Sequence, residues 1–272
     1  MKDLFDIRDQ VAVLTGAAGI LCSEMAEALA EAGAKVALLD LNEQKAQEIA
    51  ERINGRGGTA LAVPVDVLDK SSLEEARDRV ISEFQQVDIL INGAGGNKKE
   101  ATADDERSFF DIPPEAIQWV FNLNFIGTVL ATQVFGKLMA DQGSGVVINI
   151  SSMAALTPLT RTVSYSAAKA AVSNFTQWMA VHFNHEYSPN IRVNAIAPGF
   201  FLTEQNTFLL IDEATGGHTP RGKSIIDNTP MKRYGTPDEL IGAVIWLASD
   251  GAKFVNGAVI PIDGGFSAFS GV

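Results

Sequence analysis

One cysteine, Cys22, and three histidines are spread through 272 residues, and this scarcity closes several chemistries. No disulfide can form within the chain, and no cysteine-based metal site exists. His182 and His185 lie three apart near the end of a helical pattern and lack a third partner. Metal binding is therefore not expected, and both are read as surface residues.

Basic residues are also few: 21 Lys and Arg face 33 Asp and Glu, for a net charge of −12. An acidic surface repels phosphate backbones and anionic bilayers, which argues against nucleic acid and membrane partners. No apolar run is expected to span a bilayer, and the opening MKDLFDIRDQ carries charge where a signal peptide is apolar. A cytoplasmic location is expected, in keeping with the single thiol. Linkers, repeats and low-complexity tracts are missing as well, so one domain is expected over 1–272.

What is present is a core former, with 46% hydrophobic residues. Near-continuous apolar runs recur at 11–15, 35–40, 60–65, 87–91, 145–150, 191–196 and 257–262. Strands buried on both faces have this composition. Between them, helical periodicity covers 20–32, 43–54, 70–85, 115–141, 163–185 and 237–249. The alternation predicts an α/β fold: a doubly wound, Rossmann-type, mostly parallel seven-stranded sheet with helices on both faces. Two stretches fit no regular element, 96–112 and 200–230, and the second is read as a substrate lid.

Ligands of such sheets bind beyond the carboxyl ends of the strands. The first strand enters Thr15-Gly16-Ala17-Ala18-Gly19-Ile20-Leu21-Cys22. Glycine there lets the backbone approach a pyrophosphate, and the helix N-terminus offers free N–H groups. Contacts are expected from Gly16, Ala18, Gly19, Ile20 and Leu21. An ordinary tight turn would look the same. Asp40, about 20 residues on, sits where a carboxylate meets the ribose hydroxyls of NAD and repels the 2′-phosphate of NADP. With Leu41 beside it, Asp40 favours NAD(H) over NADP(H); the competing role is a helix cap. Asp66 and Val67 follow the third strand, where they would meet the adenine, and Asp66 could equally be a cap. Asn92, Gly93 and Ala94 follow the fourth strand. Pro198, Gly199, Phe201 and Thr203 follow the sixth, near the expected nicotinamide.

Tyr165 and Lys169 are four apart and share a helix face. An ammonium beside a phenol lowers the phenol pKa, which suits proton transfer. Ser151 and Ser152 follow the fifth strand, where a hydroxyl could hold a carbonyl oxygen. Asn124 sits inside a helical pattern that Asn disfavours, which suggests a polar task.

Taken together, Thr-Gly, Asn-x-Ala-Gly, Asn-x-x-Gly, Ser, Tyr-x-x-x-Lys and Pro-Gly-x-x-x-Thr resemble the classical short-chain dehydrogenase/reductase family along nearly the whole chain. The resemblance implies that Ser152, Tyr165, Lys169 and Asn124 are catalytic, that Lys169 also holds the nicotinamide ribose, and that a homotetramer forms. Ala167, Ala168, Ala170 and Ala171 would permit close helix packing in that assembly. INGAGGN, NISSMAALTPLT and APGFFLTEQN resemble the D-mannonate oxidoreductase (fructuronate reductase) subgroup, which implies a sugar-acid substrate. One departure stands out: Ile20 and Cys22 occupy the last two glycine positions of the family turn.

An anionic sugar acid needs a cation or a dense set of donors. One or more of Arg161, Lys98, Lys99, Arg107, Arg221, Lys223 and His218 is expected to bind the carboxylate, with Ser152, Gln205 and Asn206 on the substrate oxygens; taken singly, each cation could equally be a solvated loop charge. A different carbonyl substrate, gluconate-type or 3-oxoacyl, and a non-catalytic NAD-binding sensor are the rival readings.

Overall fold

Successive residues of a strand face opposite sides of its sheet, and the two sides are filled separately here. Ala12 and Leu14 pack with Met25, Leu29 and Leu247 on one face. Val11 and Val13 pack with Leu73, Phe135 and Phe183 on the other. The computed structural model describes residues 3–203, 207–212 and 215–271. Seven strands form one sheet in the order β3-β2-β1-β4-β5-β6-β7. They are β1 Val11–Thr15, β2 Lys35–Asp40, β3 Thr59–Pro64, β4 Ile89–Asn92, β5 Gly145–Ile150, β6 Ile191–Pro198 and β7 Val259–Ile262. Every pairing is parallel. The strand order reverses between β1 and β4, which opens the crevice where such sheets take ligands.

Helices α1 Ile20–Glu31, α2 Glu43–Gly55 and α3 Lys70–Phe84 follow the first three strands. The helix expected over 115–141 is interrupted: α4 Pro114–Phe121 and α5 Gly127–Gln142 flank a π-helical turn, Asn122–Ile126. Helix α6 runs Val163–Glu186. The stretch expected to lack regular structure at 200–230 contains α7 Thr207–Leu210 and α8 Pro220–Asn228. Pro220 at the first helical turn and the Thr219 hydroxyl, which accepts from the Gly222 N–H, start α8. Helix α9, Ile241–Ala248, is preceded by a 3-10 turn, Pro237–Leu240, with a Thr236/Glu239 capping box.

The stretch Pro114–Gln142 is long and apolar enough to cross a membrane by length and composition, contrary to the sequence expectation. Half of its apolar window is buried inside the fold, where Ala131, Val134, Phe135 and Met139 pack in the core.

Candidate active site

The turn after β1 is fixed from two directions. Gly16 has φ +65°, and a Cβ on it would lie 2.7 Å from the backbone of Ala94. Only glycine tolerates both conditions. The Thr15 hydroxyl accepts from the Gly93 and Ala94 N–H groups at 3.2 and 3.3 Å, tying the β1 turn to the β4 turn. The Asp40 carboxylate accepts from the Ala18 N–H at 2.9 Å and the Asn42 N–H at 2.8 Å. Asp40 thus clamps the glycine turn, and the cap of α2 is Asn42 instead. Likewise Asp66 accepts from the Leu68 N–H, while Asp69 caps α3. No side chain caps α1 at Gly19, so its first-turn donors stay available for an anion.

A cleft of about 510 Å³ opens on this turn. Gly16, Gly19, Ile20 and Leu21 line its centre, Asp40, Leu41, Asp66 and Val67 one end, and Gly199, Phe201 and Thr203 the other, with Gly93 and Ala94 between. Three expected contacts are placed differently. The Ala18 N–H is engaged by Asp40. Asn92 turns its amide into the core, where Nδ2 donates to Thr132 and Asn149. Pro198 ends β6, and the turn after it is held by the Gly199 N–H on the Ile262 carbonyl. Cys22, Gly95 and Phe200, which belong to the expected turns, also line the cleft, and so do Val65, Leu123 and Ile150, which were not foreseen. Apolar wall positions carry no motif, so sequence offered no signal for most of them.

Helix α6 carries Tyr165 and, one turn on, Lys169, whose ammonium reaches the Ile150 and Gly95 part of the cleft wall. Lys169 is buried, and its ammonium donates to the Ile150 carbonyl at 2.7 Å and lies 5.7 Å from the centre of the Tyr165 ring. Burial pulls its pKa down to about 8. The Tyr165 ring packs on Ala101, Ala116 and Val120. Burial against that wall raises the phenol pKa, and a hydrogen bond with Ser152 works the other way. The lowered phenol expected from Lys169 is therefore corrected: desolvation dominates, and the opposing contribution comes from Ser152.

The two serines separate cleanly. The Ser151 hydroxyl is spent on the Lys169 carbonyl at 3.1 Å and the Ser173 hydroxyl at 2.7 Å. The Ser152 hydroxyl accepts from the Ala154 N–H and reaches Tyr165. Asn124, fully buried, occupies the π turn. Its amide donates to the Gly96 and Val120 carbonyls, both at 2.7 Å, and accepts from the Gly96 N–H at 3.1 Å. A Cβ on Gly95 would lie 2.6 Å from the Asn124 Oδ1 and 3.1 Å from the Lys169 Nζ. Glycine at 95 keeps this corner open.

Arg161 is not in this cleft. It pairs with exposed Asp105 at 3.2 Å and lines a separate, largely apolar cavity with Ala155, Leu159 and Phe109. Arg107 donates to the Lys99 carbonyl, and Lys223 pairs with Asp227. Gln205 and Asn206 lie outside the described residues. His182 stacks on Trp178 with ring centres 4.6 Å apart, and no metal-binding cluster exists among the described residues.

A parallel sheet with a glycine turn, an acid after β2 and a Tyr-Lys helix at its carboxyl edge defines the class of nicotinamide-dependent oxidoreductases. The family described as enoyl-(acyl carrier protein) reductase matches residues 16–267. The oxidoreductase UxuB of Bacillus subtilis, itself uncharacterised, is 49% identical, with 98% of each chain covered. D-threitol dehydrogenase of Mycolicibacterium smegmatis is 34% identical, covering 97% of this chain and 95% of the relative. A provisionally named D-mannonate oxidoreductase from Haemophilus influenza, solved with bound NAD, superposes with a TM-score of 0.93 at 47% identity, covering 98% of each chain. The chain belongs to the short-chain dehydrogenase/reductase family and is an oxidoreductase acting on CH–OH groups.

Proposed function

We propose that this chain is an NAD(H)-dependent enzyme interconverting a sugar acid and its keto form, with D-mannonate and D-fructuronate as the pair. The observation that carries the chemistry is the convergence of Ser152, Tyr165 and Lys169 beside a cleft that fits a dinucleotide. Gly16 and Gly95 leave space that a Cβ would fill, and the first turn of α1 has free donors. Gly16, Gly19, Ile20 and Leu21 would hold the pyrophosphate, Asp40 and Leu41 the adenosine ribose, Asp66 and Val67 the adenine. Lys169 would hold the nicotinamide ribose, with Gly199, Phe201 and Thr203 closing on the carboxamide side. No lysine or arginine among the described residues lines the cleft beside Asp40, which favours NAD(H) over NADP(H). When bound, the nicotinamide takes or returns the hydride.

Ser152 orients the substrate oxygen, and Tyr165 gives or takes its proton. Lys169 keeps its ammonium 5.7 Å from the centre of the phenol ring, held there by the Ile150 carbonyl. Asn124 keeps Gly96 in place and steadies this corner. The name and NAD content of the Haemophilus structure support the D-mannonate reading. The D-threitol relative supports a second one, a neutral polyol.

A second copy of the chain fits the outer face of α6. Val163, Trp178 and Val181 are exposed there, with exposed Ala167 and Ala170 between them. Ala168 instead turns into the core. Homotetramer formation is part of this reading, checked by light scattering on Val181→Glu, which should give smaller species.

The deciding experiment follows NADH absorbance with D-fructuronate, beside Tyr165→Phe. Turnover that disappears in the variant, with NADH still bound, supports the reading. NADH binding without turnover of D-fructuronate moves the substrate to another ketone.

A further inference from the structure

The sugar-acid reading leaves one question open within this chain: what attracts a carboxylate to an enzyme of net charge −12. Arg161, the obvious cation, is paired with Asp105. Resting on that reading, the geometry points to Lys98 as the residue that recognises the substrate carboxylate and so makes acids better substrates than neutral polyols.

The backbone that carries Lys98 leaves the corner shared by Asn124 and Tyr165, and the Lys98 side chain is exposed. Two residues before it, Gly96 is gripped at both its N–H and its carbonyl by Asn124. Nothing lies within 4 Å of a Cβ built on Gly96, so this part of the strand exit is open. The Lys98 carbonyl then accepts from the Ala101 N–H at 3.0 Å and the Thr102 hydroxyl at 3.1 Å, which fixes its backbone. Ala101 is fully buried and packs against Ala116 and Val120, the two α4 residues under the Tyr165 ring. The side chain is held as well: the Lys98 ammonium sits 5.0 Å from the ring centre of Trp119, next to Val120 on α4. One helical turn of α4 therefore supports both the phenol and the ammonium.

The manner of holding matters. A carboxylate partner would position Lys98 and cancel its charge. An aromatic face positions it and leaves the charge available. Among the described residues the Lys98 ammonium is in no ion pair, whereas Arg161, Lys223 and Arg233 are each matched by a carboxylate. A fixed, unneutralised cation in an acidic protein provides local attraction for an anion against the overall field.

The test compares wild type, Lys98→Gln, Lys98→Arg and Lys99→Gln, with D-fructuronate and with D-fructose as its neutral counterpart. Lys98→Gln should raise KM for D-fructuronate about tenfold or more while NADH affinity stays within about twofold. Lys98→Arg should retain most of the preference for the acid, and Lys99→Gln should behave as wild type. The wild-type KM for the acid should rise with salt, and that slope should flatten in Lys98→Gln. Turnover of D-fructuronate with an unchanged KM in Lys98→Gln overturns the assignment and leaves the sugar-acid reading standing. Equal losses on the acid and on NADH overturn it too, because they place Lys98 on the cofactor. If wild type turns over no sugar acid, the underlying reading fails, and the assignment fails with it.

Discussion

The thiol of Cys22 occupies the space that a side chain on Gly93 would need. A Cβ built on Gly93 would run into the Cys22 Sγ and lie 2.8 Å from the Thr15 carbonyl oxygen. Cys22 lies in the first turn of α1, at the family's last glycine position, and the residue across from it on the β4 turn is a glycine. The two form one steric unit: bulk on α1 is matched by its absence after β4. The extra atoms of Cys22 fill that gap, and Cys22 is only 5% exposed.

Gly93→Ala should therefore destabilise the protein by about 1–3 kcal/mol, the usual cost of overpacking. Cys22→Gly should cost a similar amount through the cavity it opens and the glycine it puts in a helix. The double variant should be more stable than the sum of the two losses predicts. Denaturant melts of all four proteins measure the coupling, and simple additivity would sink the steric-unit idea.

Burial pushes the Cys22 thiol up to about 12. A thiol reagent at neutral pH should leave the folded protein unlabelled and modify it fully in denaturant. Rapid labelling of the native state would show the thiol to be reachable and ionised.

Lys169 falls to about 8 from an ordinary 10.5. Between those values the unfolded chain holds a proton that the folded chain has lost, so stability should rise with pH across about 8 to 10.5 and carry the full penalty below 8. The difference corresponds to about 3 kcal/mol. Lys169→Met should be at least as stable as wild type at neutral pH and should lack this alkaline gain, while losing turnover. A melt series against pH for both proteins checks the sign.

Asn124 spends its whole amide on Gly96 and Val120 inside the π turn. Asn124→Ala should cost about 1–3 kcal/mol, because the part-buried Gly96 groups and the buried Val120 carbonyl lose their partner. Amide exchange should quicken at Gly96 and in the first turns of α5. An unchanged melting temperature would mean that the π turn is held by packing alone.

Asp40 both clamps the Ala18 N–H and faces the adenosine end of the cleft. Asp40→Ser should improve NADPH relative to NADH by about tenfold through lost repulsion, yet weaken both cofactors by loosening the turn. Titrating the two reduced cofactors by fluorescence separates these effects.

Much of the architecture could be read directly. Runs such as KVALLD and VAVLT are apolar at successive positions because both sheet faces are covered, so a parallel sheet followed from composition alone. The site motifs lie at strand exits, and topology gathers strand exits at one edge. That is why Tyr165 and Lys169, four apart on a helix, could be tied to Ser152 and to the glycine turn before any coordinates.

Other features depended on contacts between distant segments. No local pattern marks Asn122–Ile126 as a π turn, because the extra residue is stabilised by Gly96 from another loop. Ser151 and Ser152 are indistinguishable as residue types; the family resemblance picks Ser152, and the physical reason, a Ser151 hydroxyl spent on Ser173 and the Lys169 carbonyl, came only with the fold. The chain carries Arg161 and Lys98 as two loop cations of equal promise. Asp105 neutralises one and Trp119 holds the other with its charge intact. Sequence alone determined the sheet and set the glycine turn and the Tyr165–Lys169 pair at its carboxyl edge, since these positions follow from periodicity and spacing. Which charges remain free, which way the phenol pKa moves and what fits beside Gly93 were decided by tertiary structure, because burial and charge pairing are properties of neighbours in space.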